Sequence, residues 1–138
     1  MKELDNLVKV HQLKEEPAEQ KEFSGMLRAG DAKLKDCLIE GLSEDSQFSL
    51  AYAAAHAFSL AALRWRGYRS DSRYLVFQCL QHTLGLEKAK WRVLDKCHNA
   101  RNLAEYEGHL DVNPQLLKEL IAITQELQRL VKALPAVE

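Results

Sequence analysis

The sequence predicts an all-α protein, an up-and-down bundle of four or five helices, and three observations carry that prediction. Apolar residues recur at intervals of three and four over most of the 138-residue chain. Helix punctuation brackets those stretches, with Ser43 to Ser46 and Asn113-Pro114 at starts and Gly41, Gly67, Gly85 and Gly108 at ends. No stretch alternates apolar and polar residues with the two-residue period of a half-buried strand, and there is no repeat unit or low-complexity segment.

Met1 to Leu13 puts Leu4, Val8 and Leu13 on one stripe, a short or frayed amphipathic helix. The break at Glu16-Pro17 makes residues 1–16 an N-terminal extension and 17–138 the bundle domain. Pro17 suits the first turn of a helix running to about Gly41, whose stripe is Phe23, Met26, Leu27, Leu34, Cys37, Leu38 and Ile39. Gly30-Asp31 is its weak point.

From Gln47 to about Trp65 an Ala- and Leu-rich run aligns Phe48, Tyr52, Ala55, Phe58, Ala62 and Trp65, with Leu50, Ala54 and Leu60 beside them. This is the expected core helix, buried on most sides. Arg66 to Arg73 is the following loop, where Arg64, Arg66, Arg69 and Arg73 crowd one turn and Ser70, Asp71 or Ser72 caps the next element. Tyr74 to Leu84 is predicted as one shorter helix and Glu87 to about Glu107 as a long one. In the last, opened by Asn113 and Pro114, Leu116, Leu120, Ile123, Leu127, Leu130 and Leu134 follow a four-three repeat suited to a bundle.

The length is one domain's worth, and 46% hydrophobic with 28% charged residues is ordinary for a globular chain. No apolar run approaches the roughly 20 residues of a membrane span. The N-terminus M-K-E-L-D-N is charged and lacks an apolar signal core, so the expectation is a cytoplasmic protein without membrane association. Cys37, Cys79 and Cys97 are odd in number, far apart and without a C-x-x-C pair, which speaks against a disulfide framework and a zinc site. No metal and no cofactor is expected. The net charge of −1 hides a basic centre, for residues 64–101 hold nine basic and three acidic side chains between two net-acidic flanks. Such a block attracts phosphate-bearing ligands, unless folding mixes the charges on one surface.

The candidate site lies on the helix through Asn99 to Gly108. Helical geometry gathers His98, Arg101, Asn102, Glu105 and Tyr106 within an arc of roughly 140°, with Val93, Cys97, Ala100 and Ala104 on the other side. An imidazole, a guanidinium, a carboxamide, a carboxylate and a phenol side by side are donors and proton carriers that a solvated face does not need. Plainer roles are open: Arg101 and Glu105 as a surface pair four residues apart, Asn102 and Tyr106 as dimer contacts, and His56, His82 and His98 as structural histidines.

The order of an Ala-rich helix, G-Y-R at Gly67 to Arg69, Q-H-T-L-G-L at Gln81 to Leu86 and R-N-L-A-E-Y-E-G at Arg101 to Gly108 resembles the higher-eukaryote-and-prokaryote nucleotide-binding (HEPN) superfamily, as a small stand-alone prokaryotic member. The resemblance implies a homodimer that brings two copies of the polar motif to a shared cleft. In many members an Arg and a polar residue, with a His after four to six intervening residues, cleave RNA without metal. By resemblance Arg101 is that Arg and Asn102 the polar residue, while Tyr106 stands where His is expected and His109 comes one residue late. Arg101 then stabilises charge on a phosphorane and Asn102 orients a phosphate or ribose oxygen. A phenol with an ordinary pKa of about 10 is a poor base at neutral pH and a good phosphate partner, so Tyr106 suits binding better than turnover.

The expected function is therefore binding of a nucleotide, RNA or partner protein at a dimer cleft built around Arg101, Asn102 and Tyr106, with His98, Glu105 and Arg69 completing the ligand-binding set. A first alternative is a metal-independent endoribonuclease, the toxin of a toxin-antitoxin pair with a nucleotidyltransferase partner, using Arg101 with Tyr106 or His109. A second is a purely structural homodimer.

Overall fold

A computed structural model describes residues 1–108 and 110–137. Its described residues form helices α1 (Lys2–Lys9), α2 (Gln20–Cys37), α3 (Glu44–Trp65), α4 (Arg73–Gln78), α5 (Leu80–Thr83), α6 (Lys88–Glu107) and α7 (Pro114–Lys132). The described residues are all-α apart from a two-residue antiparallel pairing of β1 (Lys14–Glu15) with β2 (Tyr68–Arg69), too short for sequence alternation to signal. No helix among the described residues is long and apolar enough to cross a membrane.

The long helix α3 lies at the centre. Ser43 caps it in an extended conformation, its hydroxyl oxygen accepting the Ser46 N–H at 3.1 Å, and the helix begins at Glu44, three residues before the expected start at Gln47. Ala51, Ala54, Ala55 and Ala62 are buried along it, and such small side chains let α2 and α7 approach closely. At Gly30 of α2 the approach is so close that a Cβ would stand 2.5 Å from the Phe58 ring. A glycine that weakens a helix in isolation is here the condition for its packing.

α2 departs from expectation at both ends. It begins at Gln20 rather than at Pro17, because residues 14–17 are committed elsewhere. It stops at Cys37, leaving Leu38 and Ile39, expected in the apolar stripe, 50% and 54% exposed. α7 starts as expected: the Asn113 side-chain oxygen accepts from the N–H groups of Gln115 and Leu116 at 2.9 and 3.3 Å, and Pro114 opens the helix. The expected helix over Tyr74 to Leu84 is divided at Cys79 into α4 and α5. This stretch serves two cores, with Leu75, Val76 and Cys79 in an N-terminal cluster and Phe77 and Leu80 in the main one.

That second cluster holds the first 16 residues against the body. Leu4 and Leu13 are buried with Leu63, Tyr68, Leu75, Val76 and Cys79. Arg64, 2% exposed, locks the connection: Nε donates to the Glu22 carboxylate at 2.5 Å, Nη1 to the carbonyls of Glu16 and Tyr68 at 3.0 and 3.2 Å, and Nη2 to the Pro17 carbonyl at 2.9 Å. A buried guanidinium is tolerable when its charge is paired and its donors are used, and here both conditions hold. The Glu22 carboxyl is held below its usual range first by its hydrogen bond with Arg64 and then by the charges of Arg64 and Arg69.

Candidate functional site

The polar residues of α6 converge on a side chain of α3. Trp91, Leu94 and Cys97 are the buried residues of α6 and set its rotation in the fold. That rotation turns the flank carrying His98 and Arg101 toward α3 and leaves Asn102 at the rim. The phenol oxygen of Tyr52, itself 1% exposed, lies 2.9 Å from His98 Nδ1, and Asn102 Nδ2 lies 3.1 Å from His98 Nε2. One ring nitrogen of His98 donates and the other accepts, so the imidazole bridges the phenol of α3 and the carboxamide of Asn102.

Two guanidiniums frame the same phenol ring. The Arg101 carbon Cζ is 5.2 Å from the Tyr52 ring centroid, and that of Arg73 is 5.6 Å from it. Arg73 is delivered by the sequence at the first position of α4, where Ser72 caps the helix by accepting the Leu75 N–H at 3.3 Å. Behind Tyr52, Phe48 stacks at 6.4 Å and Phe77 meets it edge-on at 5.7 Å. Phe77 also meets the ring of His56, one turn along α3 from Tyr52, edge-on at 6.1 Å.

Among the described residues no carboxylate lies within ion-pair distance of Arg73, and Arg101 has Glu105 at 3.9 Å, a side chain 67% exposed. Burial, and then the positive charges of Arg73 and Arg101 and the neighbouring His98, push His56 down to about 4. His98 is lowered too, by burial first, with Arg73 and Arg101 adding to it and Asp95 opposing it. Both rings are thus biased toward the neutral form, and protonation of either is disfavoured. The phenol of Tyr52 is raised by burial, against the pull of Arg73 and Arg101.

Beside Arg101 runs an open groove of about 470 Å³ lined by Asp45, Phe48, Ser49, Ala104, Glu105 and Leu110 among others. A groove of similar size between Pro17, Trp65 and Pro135 is lined by no charged side chain. The groove beside Arg101 reaches Phe48 and Glu105 but not Tyr52, Arg73, His98 or Asn102. Among the described residues no three His, Cys, Asp or Glu side chains gather as a metal site would require, and Cys37, Cys79 and Cys97 are buried free thiols.

Of the residues singled out by sequence, Arg101, Asn102 and His98 meet in this cluster and Glu105 stands at its edge. Tyr106 does not join them: it is 92% exposed, and Tyr52 is the phenol of the site. Arg69 is engaged elsewhere, with Glu16 at 2.7 Å and Glu22 at 2.8 Å. His109 lies outside the described residues. Sequence reasoning did not select Tyr52, His56 or Arg73 for the site. The available signals were a Tyr and a His one turn apart on an otherwise Ala-rich helix, and a helix-initial Arg within the basic segment.

No family model matches the chain, and no curated protein and no solved structure matches it.

Proposed function

We propose that the protein is a HEPN-like helical domain that binds a phosphate-bearing ligand, a nucleotide or RNA, at the cluster around Tyr52. The observation that carries this reading is the convergence of Arg73 and Arg101 on one ring, Arg73 without an ion pair among the described residues and Arg101 with the exposed Glu105 at 3.9 Å. Guanidinium forks match phosphate oxygens in geometry and keep their charge at every physiological pH. The neutral imidazole of His98 and the carboxamide of Asn102 add hydrogen-bonding groups at the rim. The reading includes a homodimer in which the exposed Leu103 and Tyr106 of α6 meet a second copy, and light scattering on the purified protein checks that part separately.

A second reading, metal-independent RNA cleavage, is favoured by His98. An imidazole beside two guanidiniums supplies a proton acceptor for the 2′-hydroxyl while they stabilise the phosphorane charge, although burial and their charge lower its basicity. Incubating wild type and Arg101→Ala with a mixed RNA pool in chelator, at low salt, separates the two on one gel. Retardation lost in the variant is expected for binding, and cleavage lost in the variant would promote the second reading. Neither, with both proteins folded, would remove the phosphate-binding reading for RNA.

A further inference from the structure

One side chain belongs both to the Tyr52 cluster and to the groove beside it. Arg101 lies over the Tyr52 ring at 5.2 Å and also lines the groove of about 470 Å³ between the first turns of α3 and the last turns of α6. A ligand whose phosphate meets Arg101 therefore has space next to it for one more group, on the scale that small-molecule sites take. Phe48, Ala104 and Leu110 make part of that space apolar, which suits a flat ring better than a further charge.

The polar part of the groove is specific in kind. Asp45 and Ser49 stand four residues apart on α3, so their side chains are neighbours on one helix face, and both are exposed. Neither side chain has a hydrogen-bond or ion-pair partner among the described residues. The other carboxylate of the groove, Glu105, has Arg101 at 3.9 Å, which leaves Asp45 as the one without a cation. The α3 wall thus offers two carboxylate oxygens that only accept and, one turn further on, a hydroxyl that can donate.

We propose that the groove seats a guanine base whose adjoining phosphate meets Arg101. The inference rests on the phosphate-binding reading above and names the base. On its base-pairing edge guanine presents two adjacent donors, N1–H and the N2 amine, followed by an acceptor, O6. The Asp45 carboxylate takes both donors, one on each oxygen, and the Ser49 hydroxyl donates to O6. Adenine and cytosine set a ring-nitrogen acceptor beside their amine, and uracil sets one N–H between two carbonyl oxygens. Each of those bases turns an acceptor toward a carboxylate oxygen, and polar groups left facing one another unpaired are what rejects a wrong ligand. Because Asp45 and Ser49 are open to water, which repairs part of that loss, the expected preference is moderate.

The test is calorimetric titration of the full chain with the 5′-monophosphates of guanosine, inosine, adenosine and uridine, and with an oligoadenylate hexamer with and without one internal guanosine. The guanosine nucleotide is expected to bind at least fivefold more tightly than those of adenosine and uridine, with inosine, which lacks the N2 amine, between them. Asp45→Asn sets an amide donor against the donors of guanine and is expected to abolish that advantage in the folded protein. Glu44→Gln, one residue away and outside the groove lining, is expected to keep it, which separates base recognition from the charge of the first turn of α3. A guanosine-bearing hexamer tighter than the mononucleotide assigns the seat to RNA, and the reverse order assigns it to a free nucleotide. Guanosine and adenosine nucleotides within twofold of each other, or a guanine preference that survives Asp45→Asn, overturns the assignment while leaving phosphate binding in place. Binding of none of the probes overturns both.

Discussion

The phenol oxygen of Tyr52 and Nδ1 of His98, 46 residues apart in the chain, meet at 2.9 Å and join the core helix α3 to the polar flank of α6. Tyr52→Phe removes that contact and keeps the ring that Arg73 and Arg101 frame. A buried hydrogen bond of this type contributes about 1 kcal/mol, and the unpartnered imidazole adds to the loss. The variant is expected to lose about 1 to 2 kcal/mol in denaturant unfolding. An unchanged midpoint would mean that the contact contributes nothing to α3–α6 docking.

His56 makes stability depend on pH. Its folded value of about 4 lies below the ordinary 6.5, so the folded state binds fewer protons than the unfolded state between those values. The contribution is complete above about pH 6.5 and is lost as pH falls toward 4. Since the ring is not wholly sealed from water, solvent screening reduces it, and about 3 kcal/mol is an upper bound. His98 acts in the same direction. Unfolding midpoints measured at pH 7, 6, 5 and 4 are expected to fall across this window, and to fall less in His56→Gln.

At Gly30 two effects compete. Alanine gains about 1 kcal/mol in helix propensity, but its Cβ would press on Phe58, which is 0% exposed, at 2.5 Å. Overpacking of this kind costs about 1 to 3 kcal/mol. Gly30→Ala is therefore expected to lower the thermal midpoint, whereas Gly25→Ala, whose Cβ would meet Arg28 at an ordinary 3.8 Å, is expected to raise it slightly. The same sign at both positions would remove the close approach as the reason for Gly30.

Arg64→Lys keeps the charge but not the fork. One ammonium cannot serve Glu22, the Glu16 and Tyr68 carbonyls and the Pro17 carbonyl together. Leaving such buried acceptors without donors costs about 3 kcal/mol or more, and residues 1–17 are expected to show the earliest loss of amide-exchange protection. Protection lost uniformly over the chain would instead make Arg64 part of the global core.

How much of this was legible in the sequence follows from which interactions are local. The starts of α3 and α7 and the end of α6 lie close to Ser43, Asn113 and Gly108, whose caps act within a few residues of themselves. The early end of α2 and the division at Cys79 depend on what each segment packs against, which no local period encodes. At the site, helical spacing brought His98, Arg101 and Asn102 together, but it also placed Tyr106 among them. The rotation of α6, set by Trp91, Leu94 and Cys97, leaves Tyr106 outside. Tyr52, His56 and Arg73 arrive from two other helices. Their approach to α6 is a tertiary event.

The central claim is that Arg73 and Arg101 hold one phosphate between them. Its most direct test is titration of adenosine 5′-monophosphate into wild type, Arg73→Ala, Arg101→Ala and the double variant, with thermal midpoints recorded alongside. Each single variant is expected to bind at least tenfold more weakly at an unchanged midpoint, and the double variant to lose less than the product of the two losses, because a shared anion couples them. Wild-type affinity in either single variant, or independent losses that multiply in full, would contradict the claim.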